Sequence, residues 1–500
     1  ANVKRQALYC DMLGSARWVG ELAQRYPARE ITPLTPWFAN ISIHDVEITG
    51  CSTLVDVSAL PEKPVKNFFF GNVKAHCDRI GKICDATKFS MKDVRIESCD
   101  TVMRIDNCDY ASFFGFSNVT TGSSVKIEKT GGECRYLNVQ TYPLVPVNYQ
   151  SIRPGEVWLD TEGKPIQAHG FQVTFREGKY YWYGEDKTHT LFGTNRMFGG
   201  VRCYSSTDFY NWKDEGRIIE PATDPHSPLH HCQKLERPHI LYCAKTGRYV
   251  CWLKSQSNDG HFVILEAEHF MGPYHFVRNL KPNGFAVGDF DMYADPDTGK
   301  GYVWFERPHW EQICAELSDD YTNVNGRYSE HFVGKVPPFT REAAAHFVMD
   351  GKHYIYTSGT TSYTPNPSEV AVFDDYHGEY TVLGNPHIGD EYAHSFCSQI
   401  TSVIKIPGKD LYVAMADRWL PHTNKTDIPK KDWQSFLTRY KDHRPYPKDF
   451  ATPKVADRFY TLVNPNQDVY KATYVFLPIV VKDGIPMIEW KDEWKLENYE

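Results

Sequence analysis

Gly178-Lys-Tyr-Tyr-Trp-Tyr-Gly-Glu185 is the phrase that decides the fold of this chain, because four variants of it follow. They read Gly247-Arg-Tyr-Val-Cys-Trp-Leu-Lys254, Gly299-Lys-Gly-Tyr-Val-Trp-Phe-Glu306, Gly351-Lys-His-Tyr-Ile-Tyr-Thr-Ser358 and Gly408-Lys-Asp-Leu-Tyr-Val-Ala-Met-Ala-Asp417. Each is a glycine turn leading into an aromatic, β-prone strand. Spacings of roughly fifty to seventy residues match one four-stranded blade plus its loop. Five copies predict a five-bladed β-propeller, with strands converging on a central funnel.

A shorter period governs the region ahead of it. Asn40-Ile-Ser-Ile-His-Asp-Val-Glu-Ile-Thr-Gly-Cys51, Lys66-Asn-Phe-Phe-Phe-Gly-Asn-Val-Lys-Ala-His-Cys77 and Lys88-Phe-Ser-Met-Lys-Asp-Val-Arg-Ile-Glu-Ser-Cys99 are related, with a weaker copy over Ala111–Thr120. Each has two short strands around an Asp or Asn turn. A period in the low-to-mid twenties without helices predicts coils of a right-handed parallel β-helix. Stacking would put Cys51, Cys77 and Cys99 in one inward ladder, as small apolar residues rather than disulfides. The expected architecture is all-β, with a partial β-helix over 1–145 and the propeller over 146–500. Leu8, Met12, Leu13, Ala16, Val19 and Leu22 have helical spacing and predict a short helix ahead of the coils. Leu420 to Tyr470 lacks strand alternation and reads as an insertion in the last blade. The strands around Tyr474 and Pro486 are expected to close the ring.

Composition bounds the function. A net charge of −8 over 500 residues, with both signs interspersed, gives no nucleic-acid stripe and no polybasic membrane patch. No stretch is apolar enough to span a bilayer. The 14% aromatic content suits β-structure and also suits stacking on sugar rings. The 13 cysteines include no CxxC pair, so zinc is not expected. The chain opens at Ala1 without a leader, so any signal peptide has been removed or left out.

Glycosidic hydrolysis needs a proton donor for the leaving oxygen and a group that positions water on the other face of the sugar. Three blades offer a carboxylate nine to eleven residues ahead of the glycine turn: Glu236, Asp289 and Glu342. Alanines after Glu342 would leave room for a sugar and raise the acid's pKa. The plainer reading pairs Glu342 with Arg341 at the surface and makes Asp289 a turn residue, as Asp295-Pro-Asp-Thr-Gly299 is. Glu185 ends the first aromatic strand, and Gln399 takes the corresponding place in the fifth blade. These patterns alone fit an active funnel and a binding-only propeller equally.

From about residue 156 onward the chain resembles glycoside hydrolase family 43, most closely its exo-β-1,3-galactanase-like members. Carrying the resemblance are Trp158-Leu-Asp-Thr-Glu-Gly, Ala168-His-Gly, Tyr181-Trp-Tyr-Gly-Glu185, Glu236-Arg-Pro, Arg341-Glu-Ala, Ser358-Gly-Thr-Thr-Ser-Tyr-Thr-Pro-Asn366, Ser398-Gln and Asp417-Arg-Trp. The closing Ile488-Glu-Trp-Lys-Asp-Glu-Trp494 matches as well. The resemblance implies an inverting propeller enzyme with Glu342 as general acid and Asp289 as its pKa modulator. It places Glu236, Glu185 and Thr361 at the terminal sugar, and His169 and Trp419 are counted with the substrate-binding residues. Most of the family has a first-blade aspartate base. Here Ala168-His-Gly-Phe-Gln172 has none, which points to Gln399 for orienting water, with Glu236 as the rival base. Phe171-Gln172, Gly288 and Glu342-Ala-Ala depart from the family pattern around the sugar. The first coils, notably Ile31-Thr-Pro-Leu-Thr-Pro-Trp-Phe-Ala-Asn-Ile-Ser-Ile43, resemble the end of a family 28 polygalacturonase whose catalytic motifs are absent from 1–145.

The expectation is an exo-acting inverting hydrolase that releases terminal galactose from plant pectin or arabinogalactan side chains. An α-L-arabinofuranosidase, a β-D-galactofuranosidase, a non-catalytic carbohydrate-binding propeller and a docking module for a polygalacturonase are the alternatives. Expected partners are plant cell-wall glycans, with no nucleic acid, no membrane span, and an upstream polygalacturonase-like segment allowed for. No cofactor is expected and no catalytic metal, a structural calcium at most. The expected location is secreted, periplasmic or cell-surface.

Overall fold

A computed structural model describes all residues except 1–4, 135–136, 141–147, 189, 191–196, 257–259, 336–338, 362, 364 and 420–468. The expected insertion therefore lies almost wholly outside the described residues. The chain divides into two compact units, 1–147 with 162–164, and 148–161 with 165–500.

The first unit is a parallel β-solenoid. Gln6–Asp11, Ala39–Ser58, Val65–Glu97 and Val102–Asp109 pair in parallel, in that order, and Lys126–Gly131 follows. The two long strands wrap the corners of the coil, and stacked left-handed residues make the bends. Asn40 lies beneath Asn67, Asp45 beneath Asn72 and Asp85 beneath Asn107, all with φ between 46° and 58°. Asn and Asp tolerate that conformation best after glycine. Their amides also link the coils, Asn67 donating to Asn40 at 2.8 Å and Asn107 to Asp85 at 2.6 Å. Inside, Phe68 stacks on Phe89 at 4.9 Å, and Leu54, Val55, Ile80 and Met91 are fully buried.

Two expectations are corrected here. The cysteine ladder has two members, Cys51 in register with Cys77, whereas Cys99 is exposed. A bulge between Ile48 and Cys51 brings Cys51 opposite Cys77, and in the next coil Ser98 is the residue buried against Cys77. All thirteen cysteines are free thiols. The N-terminal helix is only Ala16–Val19 with a 3-10 turn at Gly20–Ala23. Leu8, Cys10 and Met12 instead alternate into the solenoid core, because a period of two on a strand overrides the partly helical spacing.

The second unit is a five-bladed propeller. Four blades are antiparallel four-stranded sheets: His169–Arg176 to Lys213–Ile219, Leu235–Cys243 to His275–Leu280, Phe290–Ala294 to Val324–His331, and Arg341–Met349 to Thr381–Gly384. The fifth is built from Gln399–Lys405, Tyr412–Arg418, Thr473–Lys482 and Ile485–Glu489, with His387–Ile388 added in parallel. The two C-terminal strands thus complete this blade rather than bridge to another. First strands of neighbouring blades line the axis side by side.

The repeated phrase is the second strand of each blade, and in four of them its central ring fills the space between blades, with Met415 in that place in the fifth. Trp182, Trp252, Trp304 and Tyr356 are fully buried. Each indole N–H has an acceptor: Ala168 O at 3.2 Å, Tyr321 O at 2.8 Å and Tyr380 Oη at 2.7 Å. Burying such rings dominates the packing energy, at roughly 150–250 Å² each. Removing one would cost about 3–5 kcal/mol.

Candidate active site

One residue pair per blade, at the same register, builds the site. The first strand starts and the second strand ends at the same face of the ring. There the chain pairs His169 with Glu185, Glu236 with Lys254, Glu342 with Ser358 and Gln399 with Asp417. In the third blade Asp289 and Glu306 meet the same way, the Glu306 amide donating to Asp289 O at 2.9 Å. A β-bulge follows the site residue in four of the five first strands. In three of them the bulge residue is left-handed: Gly170 at φ 52°, Arg237 at 52° and Ala343 at 50°. Bulges twist a strand and re-aim its side chains, here towards the axis. A Cβ at 170 would lie 2.4 Å from Glu185 Oε1, so a larger residue there would displace that carboxylate.

The resulting pocket is lined by side chains from every blade, including Glu185, Glu236, Asp289, Glu342, Gln399 and Trp419. Three of its four carboxyls are held by cations. Lys254 bridges Glu236 and Asp289 at 2.7 and 2.6 Å, and Lys234 reaches Glu236 at 3.3 Å. Arg237 grips Asp289 at 2.9 Å, and Lys187 sits 2.5 Å from Glu185. Burial alone would push Asp289 and Glu236 up, but the surrounding cations outweigh it and hold both below the usual carboxylate range. Glu185 is raised by its burial despite Lys187.

Glu342 differs from all three. Among the described residues no cation lies within ion-pair distance, and its hydrogen bond comes from the neutral Gln399 amide at 3.2 Å. Burial, then the negative charges of Asp289 and Glu306, push its pKa well above the ordinary value. The plainer sequence reading does not hold, because Arg341 turns away to Thr357 Oγ1 and O at 2.9 and 2.6 Å. Nor do the alanines open the pocket. Ala344 and Ala345 pack into the cores between blades, and Ala343 occupies the bulge.

Gln399 is fully engaged. Its carbonyl accepts from Arg237 and Trp419, each at 3.0 Å, and its amide donates to Glu342 and to Ser358 at 3.0 Å. Two residues counted with the sugar contacts sit elsewhere. His169 is fully buried beneath the pocket, with Asp417 at 2.9 Å on Nδ1 and Tyr474 Oη at 3.3 Å on Nε2. Asp417 also accepts from Gly170 N at 2.8 Å, so the pair fixes the first-blade bulge against the fifth blade. Thr361 is buried and accepts from Asn366 at 2.7 Å, outside the pocket lining. Below the pocket, Gln172 reaches Thr401 O and His239, His239 meets Asp291 at 2.9 Å, and Asp291 accepts from His346 N at 2.6 Å. This polar belt joins all five blades.

Arg237, Lys254, Lys234, Gln256 and Tyr363 line the pocket without having been given roles from the sequence. A signal for Lys254 was present. It stands seven residues after the glycine of its phrase, as Glu185, Glu306 and Ser358 do in theirs.

A pocket in which the carboxyl without a cation beside it has its pKa pushed well above the ordinary value, next to two carboxyls held below it, fits a class of site, that of acid-assisted glycoside hydrolysis. Residues 171–403, just under half of the chain, match the family model described as Glycosyl hydrolases family 43, and the propeller is a glycoside hydrolase domain similar to that family. Two solved family-43 β-1,3-galactosidases are similar to it. The first is 28% identical with a TM-score of 0.56, over 70% of this chain and 65% of its own, so this chain spans just under two thirds of that relative. The second, solved with galactodeoxynojirimycin, is 27% identical with a TM-score of 0.56, over 69% of this chain and 100% of its own. An exo-β-1,3-galactanase from Clostridium thermocellum is 25% identical with a TM-score of 0.53, over 69% of this chain and 66% of its own. No curated protein matches the chain.

Proposed function

We propose that the pocket removes a terminal β-linked galactose from the end of a galactan chain, such as an arabinogalactan or pectin side chain. The observation that carries this reading is Glu342, the pocket carboxyl that, among the described residues, has no cation within ion-pair distance and is pushed furthest above its ordinary pKa by burial and by Asp289 and Glu306. Glu342 gives its proton to the glycosidic oxygen as the bond from that oxygen to C1 breaks. Water adds to C1 from the opposite face; its proton goes to solvent where Gln399 only orients the water, or to Glu236 in the rival assignment. Asp289 stays ionised between Lys254 and Arg237, and its charge holds the proton on Glu342 until the leaving oxygen takes it. Glu236 and Glu185 accept hydrogen bonds from sugar hydroxyls, and Trp419 supplies an aromatic wall beside Tyr363. The similar β-1,3-galactosidases support galactose as the sugar.

Water activation is assigned to Gln399 with Glu236 as rival, and in the empty pocket Gln399 is bound to the acid. An inverting pair is separated by about 6.5–9.5 Å. Gln399 Nε2 lies 3.2 Å from Glu342 Oε1, so this assignment requires Gln399 to leave the acid when substrate binds. Incubation with β-1,3-galacto-oligosaccharides, followed by chromatography and early-time NMR, tests the reading. Galactose is expected as the sole monosaccharide, first as the α anomer. Release of arabinose instead, or of the β anomer first, would overturn it.

A further inference from the structure

The pocket accounts for one sugar, and the loops around its mouth carry a feature that the pocket chemistry does not use. First strands start, and second strands end, at the pocket face, so loops joining second to third strands lie on that face. In the third blade this loop is Arg307-Pro-His-Trp-Glu311. Trp310 on it is 63% exposed. Of the exposed aromatic residues in the propeller, Phe175 and Tyr242 lie at far ends of first strands, and Phe276 and Tyr328 lie on outer strands. Among the described residues Trp310 is thus the exposed aromatic of the pocket-face loops.

A single exposed ring is ordinary on a protein surface. Trp310 is set apart by how it is held. The Arg307 guanidinium lies 5.0 Å from its ring centroid and 5.5 Å from that of half-buried Phe285. Buried Glu311 fixes Arg307 at 2.8 Å, and the Trp310 amide closes a turn onto Arg307 O at 2.9 Å. The loop is tied to the site by its neighbour, since His309 N donates to Glu306 Oε1 at 2.7 Å. Glu306 is the third-blade member of the ring of pairs around the pocket. Phe285 stands on the other pocket-face loop of the same blade, four residues before Asp289. An indole face preorganised beside a guanidinium suits the apolar face of a pyranose together with its hydroxyls.

We propose that Trp310, backed by Arg307 and Phe285, is a stacking platform for the sugar units that remain outside the pocket when a chain end is bound. This rests on the reading of the pocket as a galactosidase site. The platform gives the enzyme a preference for longer chains and leaves single-sugar glycosides unaffected.

The test compares wild type, Trp310→Ala and Trp310→Phe on an aryl β-galactoside and on β-1,3-galacto-oligosaccharides of increasing length. Mobility in gels containing β-1,3-galactan, arabinogalactan or arabinan gives a second readout. With Trp310→Ala, the KM for trimers and longer chains should rise about tenfold, the equivalent of about 1.4 kcal/mol of stacking. Its kcat and its kinetics on the aryl galactoside should stay within about twofold of wild type. Trp310→Phe should recover most of the loss. An unchanged chain-length preference and unchanged gel retardation in Trp310→Ala would overturn the platform. A wild type inactive on every galactoside, yet retarded by a glycan in a Trp310-dependent way, would keep the platform and overturn the galactosidase reading.

Discussion

Lys254→Met is the substitution whose consequences follow most directly from the geometry. Lys254 is buried, with its ammonium 2.7 Å from Glu236 and 2.6 Å from Asp289. Methionine keeps the stem and removes the charge. Breaking a buried ion pair by removing one partner typically costs about 3–5 kcal/mol. The lower end applies here, because Arg237 still holds Asp289 and Lys234 still holds Glu236. An unfolding entropy of about 2.1 cal/mol/K per residue over ~350 residues gives about 0.74 kcal/mol/K. A loss of about 3 kcal/mol then lowers Tm by about 4 °C at pH 7. The sign of the pH dependence is fixed. In wild type both carboxylates are depressed, so their stabilisation is fully present above the ordinary carboxylate pKa. In the variant their folded pKa values move back towards the ordinary one, so the lost stabilisation is full above that value and shrinks as pH falls below it. The Tm deficit should therefore be as large at pH 5 as at pH 7 and narrow only below the ordinary carboxylate range. Lys254 also lowers the Glu342 pKa, so its removal should move the alkaline limb of kcat/KM to higher pH. Melts at the two pH values and one rate profile settle it. A wild-type Tm, or a deficit that grows towards pH 5, would refute the reasoning.

Gly170→Ala forces a left-handed alanine, at about 1–2 kcal/mol, and pushes Glu185 from its place, so Tm should fall and KM rise about tenfold with a smaller change in kcat. If Gln399 serves the water, Gln399→Ala should lower kcat strongly with little change in ground-state binding, while Glu236→Ala mainly raises KM. The opposite pattern, with an acid limb of kcat/KM lost in Glu236→Gln, would assign the base to Glu236. Thiol titration of the folded protein should find Cys99 and Cys232 reacting fast, whereas burial, which pushes Cys77 up to about 11, keeps the core thiols silent until denaturant is added.

The propeller was legible because a packing requirement repeats: each blade needs a large buried side chain at the centre of its second strand, a ring in four blades and Met415 in the fifth, and it follows a glycine turn. The solenoid was legible for the same reason, through its Asn and Asp corners. The site was legible as positions more than as interactions. Glu236, Asp289, Glu342 and Gln399 stand at equivalent offsets, and the structure brings them to one pocket. What each touches depends on contacts between blades that no local pattern records. His169 belongs to a conspicuous motif, yet it serves ring closure through Asp417, which lies 248 residues away. Lys254 looked like the end of a strand and is the charge between two carboxylates. The Cys99 and N-terminal helix expectations failed because one residue of register or one alternation decides which face a side chain takes.

Proton donation by Glu342 is the central claim, and leaving-group dependence tests it most directly. A galactosyl leaving group needs the proton, whereas 2,4-dinitrophenolate does not. Glu342→Gln should slow hydrolysis of β-1,3-galactobiose by about 10²–10⁴-fold while leaving the rate on 2,4-dinitrophenyl β-galactoside within a few-fold of wild type. Equal losses on the two substrates, or no loss on the disaccharide, would contradict it.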